Sequence, residues 1–392
     1  MRAKQVSSEE VVREHLTRIA AVNPKLNAVV QLRGDGALED ARHADAALAR
    51  GDRLGPLHGV PMTIKDSLDT AGVITTAGTK GRAHYIPPTD ATVVARLKAA
   101  GAILLGKTNT PEFTLGIETD NLVYGRTNNP YDLTRMVGGS SGGPAAIVAA
   151  EGSPFDVGSD TGGSIRMPAH HCGVAGLKPT SCRVPRTGHI VSYGAGHLDA
   201  FTQLGPIARY VDDLEFLLPI LIGMDWQDPA IVDMPLGHSS DVSLTHLRVA
   251  FFTDNKIDPV TPAISDAVRK SASVLEKAGA HIEEAAPSEL ADTMDVVGPV
   301  VLGDGGAWCK RMIERAGTKE LTPNVRGIAS FDDPLPTGEF TAALERVDRY
   351  RSAFLRFMKD HDVILCPVES YTALPHGKAL KRPAETYVYP ST

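Results

Sequence analysis

Apolar positions recur at helical spacing at the start of the chain: Val11, Val12, Leu16 and Ile19 follow Ser7-x-x-Glu10, a capping-box signature. The pattern predicts a helix closed by Asn23-Pro24. From about Gly59 the texture changes to short apolar runs alternating with helical patterns. Thr89-Asp90 is placed to cap a helix carrying Val93, Val94 and Leu97, Gly101 to end it, and Ala102–Leu105 to form a buried strand. Later, Leu247–Phe252 reads as a strand, Ile264–Leu275 as a helix with Gly279 beyond its end, and His281-Ile282-Glu283 as another strand. Strands alternating with helices predict an α/β architecture around a buried, largely parallel sheet. The stretch from Met224 to Thr245 lacks either period and reads as a long surface connection. No linker or internal repeat divides residues 1–392, so a single domain is expected.

Composition narrows the classes. Hydrophobic residues make up 42% and charged residues 22%, values of a globular protein. A net charge of -7 argues against a dedicated nucleic-acid binder, which needs a basic face. Cys172, Cys182, Cys309 and Cys366 form no C-x-x-C pair, so neither a zinc site nor a disulfide framework is expected. The polar Met1–Glu10 has no signal-peptide core, and no run is apolar and long enough for a membrane helix. A cytoplasmic location is expected.

Two nucleotide- and hydrolase-like patterns invite testing. Gly101-Ala-Ile-Leu-Leu-Gly106-Lys107-Thr108 spells a phosphate-binding loop, but its centre is apolar and strand-like, so its N–H groups are committed to a sheet. Gly138-Gly-Ser140-Ser-Gly142 spells a nucleophile elbow, which needs a preceding core strand; Pro130-Tyr-Asp-Leu-Thr-Arg is a poor one.

Chemistry concentrates in two Gly/Ser-rich segments, Val137–Pro144 and Gly158–Arg166, which flank one short helix-plus-strand unit and can converge. Gly162 and Gly163 leave successive amides uncovered, so N–H groups from Thr161 through Ser164 could hold an oxyanion, with Ser164 placed as nucleophile. The nucleophile still needs a base.

Pro56-Leu-His-Gly-Val-Pro-Met-Thr-Ile-Lys65-Asp66, Gly138–Gly143, Gly158–Pro168, Gly106-Lys-Thr-Asn109, Gly176-Leu-Lys-Pro-Thr180 and Gly205-Pro-Ile-Ala-Arg209 together resemble the amidase-signature family. The resemblance implies a central mixed β-sheet covered by helices on both faces. It also implies a Ser–Ser–Lys triad: Ser164 as nucleophile, Ser140 as bridging serine after a cis peptide bond, and Lys65 as ultimate base. The apolar approach Val60–Ile64 suits a buried, neutral Lys65. Thr114 matches a pocket-lining position. Ser141, Asp160 and Arg166 are supporting residues, the last two bracing loops by charge-assisted hydrogen bonds. The implied reaction is hydrolysis of a small-molecule carboxylic amide through an acyl-enzyme, without metal or organic cofactor. Nucleic-acid and membrane partners are not expected, and a homodimer is compatible with this reading. Two alternatives stay open: the glutaminase (A) subunit of a tRNA-dependent amidotransferase, and an inactive binding or scaffold member. Met167 and the Arg186–Asp199 region depart from the amidotransferase pattern. Substrate determinants are expected between Asp292 and Asp333, with Trp308 and Phe331 as pocket walls or core residues. Val363–Cys366 reads as a core strand, and the short remainder suggests a chain lacking the family's C-terminal elements.

Overall fold

The computed structural model describes residues 1, 3, 5–191 and 200–378. The end of the Arg186–Asp199 region and the stretch beyond Lys378 lie outside the described residues. The described chain forms two compact units: Met1–Met234 with Trp308–Ala329 and Pro375–Lys378, and Pro235–Ala307 with residues 330–374. The boundary near Met234 falls inside the expected surface connection, which carries only short 3-10 turns at Ser239–Asp241 and Leu244–His246.

In the first unit, helix α1 (Ser8–Leu26) opens with the expected capping box: Ser7 Oγ accepts the Glu10 N–H at 3.1 Å, and the Ser7 N–H donates to the Glu10 carboxylate at 2.8 Å. It does not stop at Asn23-Pro24. The helix continues to Leu26, and Asn27 closes it in the left-handed conformation, donating its N–H to Asn23 O at 2.7 Å. Asn23 acts one turn later, its Oδ1 accepting the N–H groups of Ala28 and Val29.

Strand β1 (Val29–Leu32), helix α2 (Gly34–Arg50), strand β2 (Pro61–Lys65), helix α3 (Thr92–Ala99) and strand β3 (Ile103–Thr108) follow. Ala91, not Thr89 or Asp90, occupies the N-cap of α3; the Asp90 carboxylate instead accepts from the Ala71 N–H and Lys98 Nζ, both at 2.8 Å. The order is β1-β3-β2, with β2 and β3 parallel and β1 antiparallel. The P-loop-like run is therefore strand, and buried Lys107 donates to Leu68 O and to Thr70 Oγ1.

Next come α4 (Gly142–Ala149), β4 (Phe155–Asp160), α5 (Arg166–Cys172), β5 (Ala175–Gly176), β6 (Gln203–Ala208) and α6 (Val211–Leu221). The order β4-β6-β5 is antiparallel throughout. The pairing is thus mixed, as the family resemblance implied, and not largely parallel. The alternation rule misses this because β5 and β6 pair antiparallel, which needs no crossover helix between them. Met62, Ile64, Leu104, Val157 and Leu204 pack with Val94, Leu97, Leu214 and Leu217 of α3 and α6. Ile103, Leu105 and Ile207 pack on the other side with Val12 and Ile19 of α1, Ala37 of α2, Ile147 of α4 and Cys172 of α5. Helices cover both faces.

Part of α9 (Ala307–Ala316) and all of α10 (Pro323–Ala329) complete this unit, with Trp308 buried. In the second unit, β7 (Arg248–Phe251) pairs in parallel with β8 (His281–Glu284) and β9 (Val363–Leu365). Helix α7 (Pro262–Lys277) links β7 to β8 and is followed by Gly279; α8 (Val297–Leu302) and α11 (Thr337–Met358) precede β9. Strand β9 exists but is an edge, not a core strand: Val363 is 41% exposed, because β9 has a neighbour on one side only among the described residues. Phe331 is exposed. No described helix is long and apolar enough to cross a membrane.

Candidate active site

Lys65 ends β2 with no solvent exposure, as its apolar approach predicted. Its Nζ lies 2.7 Å from Ser140 Oγ, 2.8 Å from Ser159 Oγ and 3.0 Å from Ser141 Oγ. Burial drives the lysine well below its ordinary range, against the pull of Asp160 and Asp156. A neutral amine has two donors and one lone pair. Ser141 donates its own hydrogen to Ser159 O at 3.2 Å, so its oxygen accepts from the amine. Three hydroxyl oxygens, of Ser140, Ser141 and Ser159, thus surround the Lys65 amine at hydrogen-bond distance.

The Ser140 loop is held tightly. The Gly139–Ser140 peptide is cis. Gly139 is there because a Cβ would lie 2.4 Å from Gly116 O. Thr110 Oγ1 donates to Ser140 O at 3.0 Å, and α4 begins at Gly142 with Pro144 in its first turn, where proline is tolerated. The Ser141 N–H donates to Ser164 O at 3.0 Å, joining the two glycine-rich segments as their spacing suggested.

Asp160, at the end of β4, organises the second segment. Its carboxylate accepts the N–H groups of Gly163, Ile165 and Arg166 and pairs with the Arg166 guanidinium at 2.9 and 3.0 Å. Burial would raise its pKa, but these donors, with Lys178 nearby, hold the carboxyl below the usual carboxylate range. One expectation changes. Gly163, at φ +111°, turns its N–H toward Asp160 and so away from the expected nest. Among the described residues, the N–H groups of Thr161, Gly162 and Ser164 make no protein hydrogen bond. Ser164 is largely buried, at 9% exposure, at the end of this loop. Thr114 sits in a turn, itself at φ +62° next to Phe113 at φ +53°.

Three residues of this region escape a sequence reading. Ser159 is a third partner of Lys65, hidden because a serine one place before Asp160 has no distinguishing period. Asp156 accepts the hydroxyls of Thr63 and Thr108 at 2.7 and 2.9 Å, and burial raises its carboxyl to about 7. Glu112 is buried beside the Thr114 turn. Near Asp156, burial also lowers Lys107 to about 8, with Asp66 opposing.

Residues 10–391 match the Amidase family. The chain belongs to that family. It is 35% identical to the glutamyl-tRNA(Gln) amidotransferase (A) subunit of Acidothermus cellulolyticus, an alignment covering 98% of this chain and 81% of that protein. Among solved structures it is similar to fatty acid amide hydrolase, with a TM-score of 0.86 and 29% identity over 95% of this chain and 67% of the other. It is likewise similar to 6-aminohexanoate cyclic dimer hydrolase complexed with substrate, at a TM-score of 0.83 and 29% identity over 96% and 79% of the two chains. This amidase-family chain therefore shares its fold and its general class with hydrolases acting on amides.

Proposed function

We propose that this chain cleaves a carboxylic amide by acyl transfer, and the observation that carries the reading is the buried Lys65 amine among three serine hydroxyls. Neutral Lys65 takes a proton from Ser140, and Ser140 takes one from Ser164 as its Oγ bonds to the amide carbon. The N–H groups of Thr161, Gly162 and Ser164 are the donors for the tetrahedral oxyanion. The C–N bond then breaks, with Ser140 giving a proton to the leaving nitrogen and regaining one from Lys65, whose amine is again neutral. Water attacks the acyl-enzyme, releasing carboxylate and freeing Ser164. Asp160, pinned by Arg166, keeps the loop in shape while these donors act.

For the substrate, the name of the relative 35% identical over 98% of this chain favours the amidotransferase-component reading over the free-standing hydrolase of small amides that the sequence suggested. On that reading the amide is the side chain of glutamine, and the ammonia serves a companion protein. Measuring ammonia release from L-glutamine, alone and with the other amidotransferase subunits, separates the two. Glutamine turnover that rises with those subunits supports the component. Turnover of simple aliphatic or aromatic amides without them supports the hydrolase. A protein inert to every amide and unlabelled at Ser164 by a fluorophosphonate would overturn amide cleavage.

A further inference from the structure

The Thr114 turn stands between the Ser140 loop and a segment about two hundred residues later in the chain. On one side, Gly116 O abuts Gly139, and Thr110 Oγ1 holds Ser140 O. On the other side lies Glu112, 1% exposed. One of its oxygens accepts the Thr79 hydroxyl at 2.9 Å; the other accepts both the N–H and the hydroxyl of Thr322, at 2.7 and 2.8 Å. The Thr79 and Thr318 hydroxyls meet at 2.6 Å, and Asn324 Nδ2 donates to Leu115 O. Every donor offered to this carboxylate comes from the segment around Thr318–Asn324 or from Thr79, which that segment touches.

The turn so clamped is an unusual one. Phe113 and Thr114 are consecutive left-handed residues without being glycine, a conformation that persists only where surroundings over-determine it. Phe113 is fully buried and donates its N–H to Ala77 O at 2.8 Å. The clamp ties the Thr114 turn, through Glu112 and Leu115, to the Thr318–Asn324 segment.

We propose that Glu112 is a positioning residue for substrate selectivity, fastening the Thr318–Asn324 segment to the Thr114 turn so that this segment forms a wall of the acyl site. The inference rests on the amide-cleavage reading above. It makes the connection between α9 and α10 a part of the site, without any role for Glu112 in proton transfer.

Glu112→Gln keeps the size but removes the charge and leaves one acceptor oxygen for the Thr322 N–H, so that a hydroxyl must turn to accept from the new N–H₂; Thr322→Val removes one donor and leaves the backbone bond, a milder change. The test compares labelling of Ser164 by a small alkyl fluorophosphonate and a bulky aryl one, across pH, in the parent and both variants. The ratio of the two labelling rates should change by about tenfold in Glu112→Gln, and less in Thr322→Val. The small probe's rate and the pH dependence should stay within about twofold of the parent. An unchanged ratio, with only a lower melting temperature, would make the clamp purely structural and overturn the proposal. An equal loss for both probes would place the effect on Ser164 itself and also overturn it. A parent that neither probe labels would overturn the amide-cleavage reading and this inference with it.

Discussion

Replacing Lys65 by methionine separates the chemistry of the site from its packing. Methionine is of similar length, and it removes the amine while refilling the space. Of the hydroxyls around Nζ, Ser141 keeps its bond to Ser159 O, whereas Ser140 and Ser159 each lose a partner. A buried hydroxyl left unpaired costs about 1–3 kcal/mol. The loss is offset by no longer burying an amine against its preference for water, so the fold should survive with a melting temperature lower by several degrees. Activity should fall far more. A general base contributes about 10²–10⁴-fold, and triads act as units, so the loss should reach about 10³–10⁶-fold, or roughly 4–8 kcal/mol of barrier. Ammonia release and fluorophosphonate labelling give the rates; thermal melting gives the stability. The pH profile adds a second check. The pKa of Lys65 is depressed by burial, so the neutral fraction, and the parent rate, should rise with pH through a range below the ordinary lysine value of 10.5, and the residual rate of the variant should be flat there. A methionine variant within tenfold of the parent, with the same pH profile, would refute the role of Lys65 as base.

Asp160→Asn should lower amide cleavage by about 10²–10³-fold, because the loop that presents the oxyanion donors loses the charge of its Arg166 pairing and keeps one acceptor oxygen, for the Gly163 N–H or for those of Ile165 and Arg166 but not for both. Labelling kinetics together with melting check it; an unchanged labelling rate would remove Asp160 from the functional site. Asp156 predicts a pH dependence of stability. Burial raises its folded pKa to about 7 from 3.8, so the folded state holds more protons between those values, and stability contributed by the protonated carboxyl is lost as pH rises through that window. Melting temperatures from pH 4 to 8 should therefore fall more steeply in the parent than in Asp156→Asn, and parallel curves would contradict this.

What the sequence made legible was local. The capping box at Ser7, the strand–helix–strand run from Arg248 to Glu284 and the convergence of the two glycine-rich segments all rest on neighbours in the chain, and the structure has each of them. What it hid was tertiary. Asp90 looked like a cap but pairs with Lys98, and Gly163 looked like an oxyanion donor but turns toward Asp160. The reason runs deeper at the site itself. Strands β2, β3, β4 and β6 are buried at every position, so the alternation of polar and apolar residues that marks a half-exposed strand is absent from them. Lys65, Lys107, Asp156 and Ser159 all stand in such strands. A polar residue in a strand with no exposed face has no water to satisfy it, so its partner must come from another element. That requirement makes Lys65 recognisable as unusual from its apolar approach alone. It cannot reveal whether the partner is Ser159, Ser141 or Ser140, because the choice depends on how β2 meets β4 and the Ser140 loop in space. For such buried polar residues the chain's own period is silent, and pairing between elements identifies their partners, whereas Ser140 and Ser164, outside the strands, are marked by the glycine-rich segments around them.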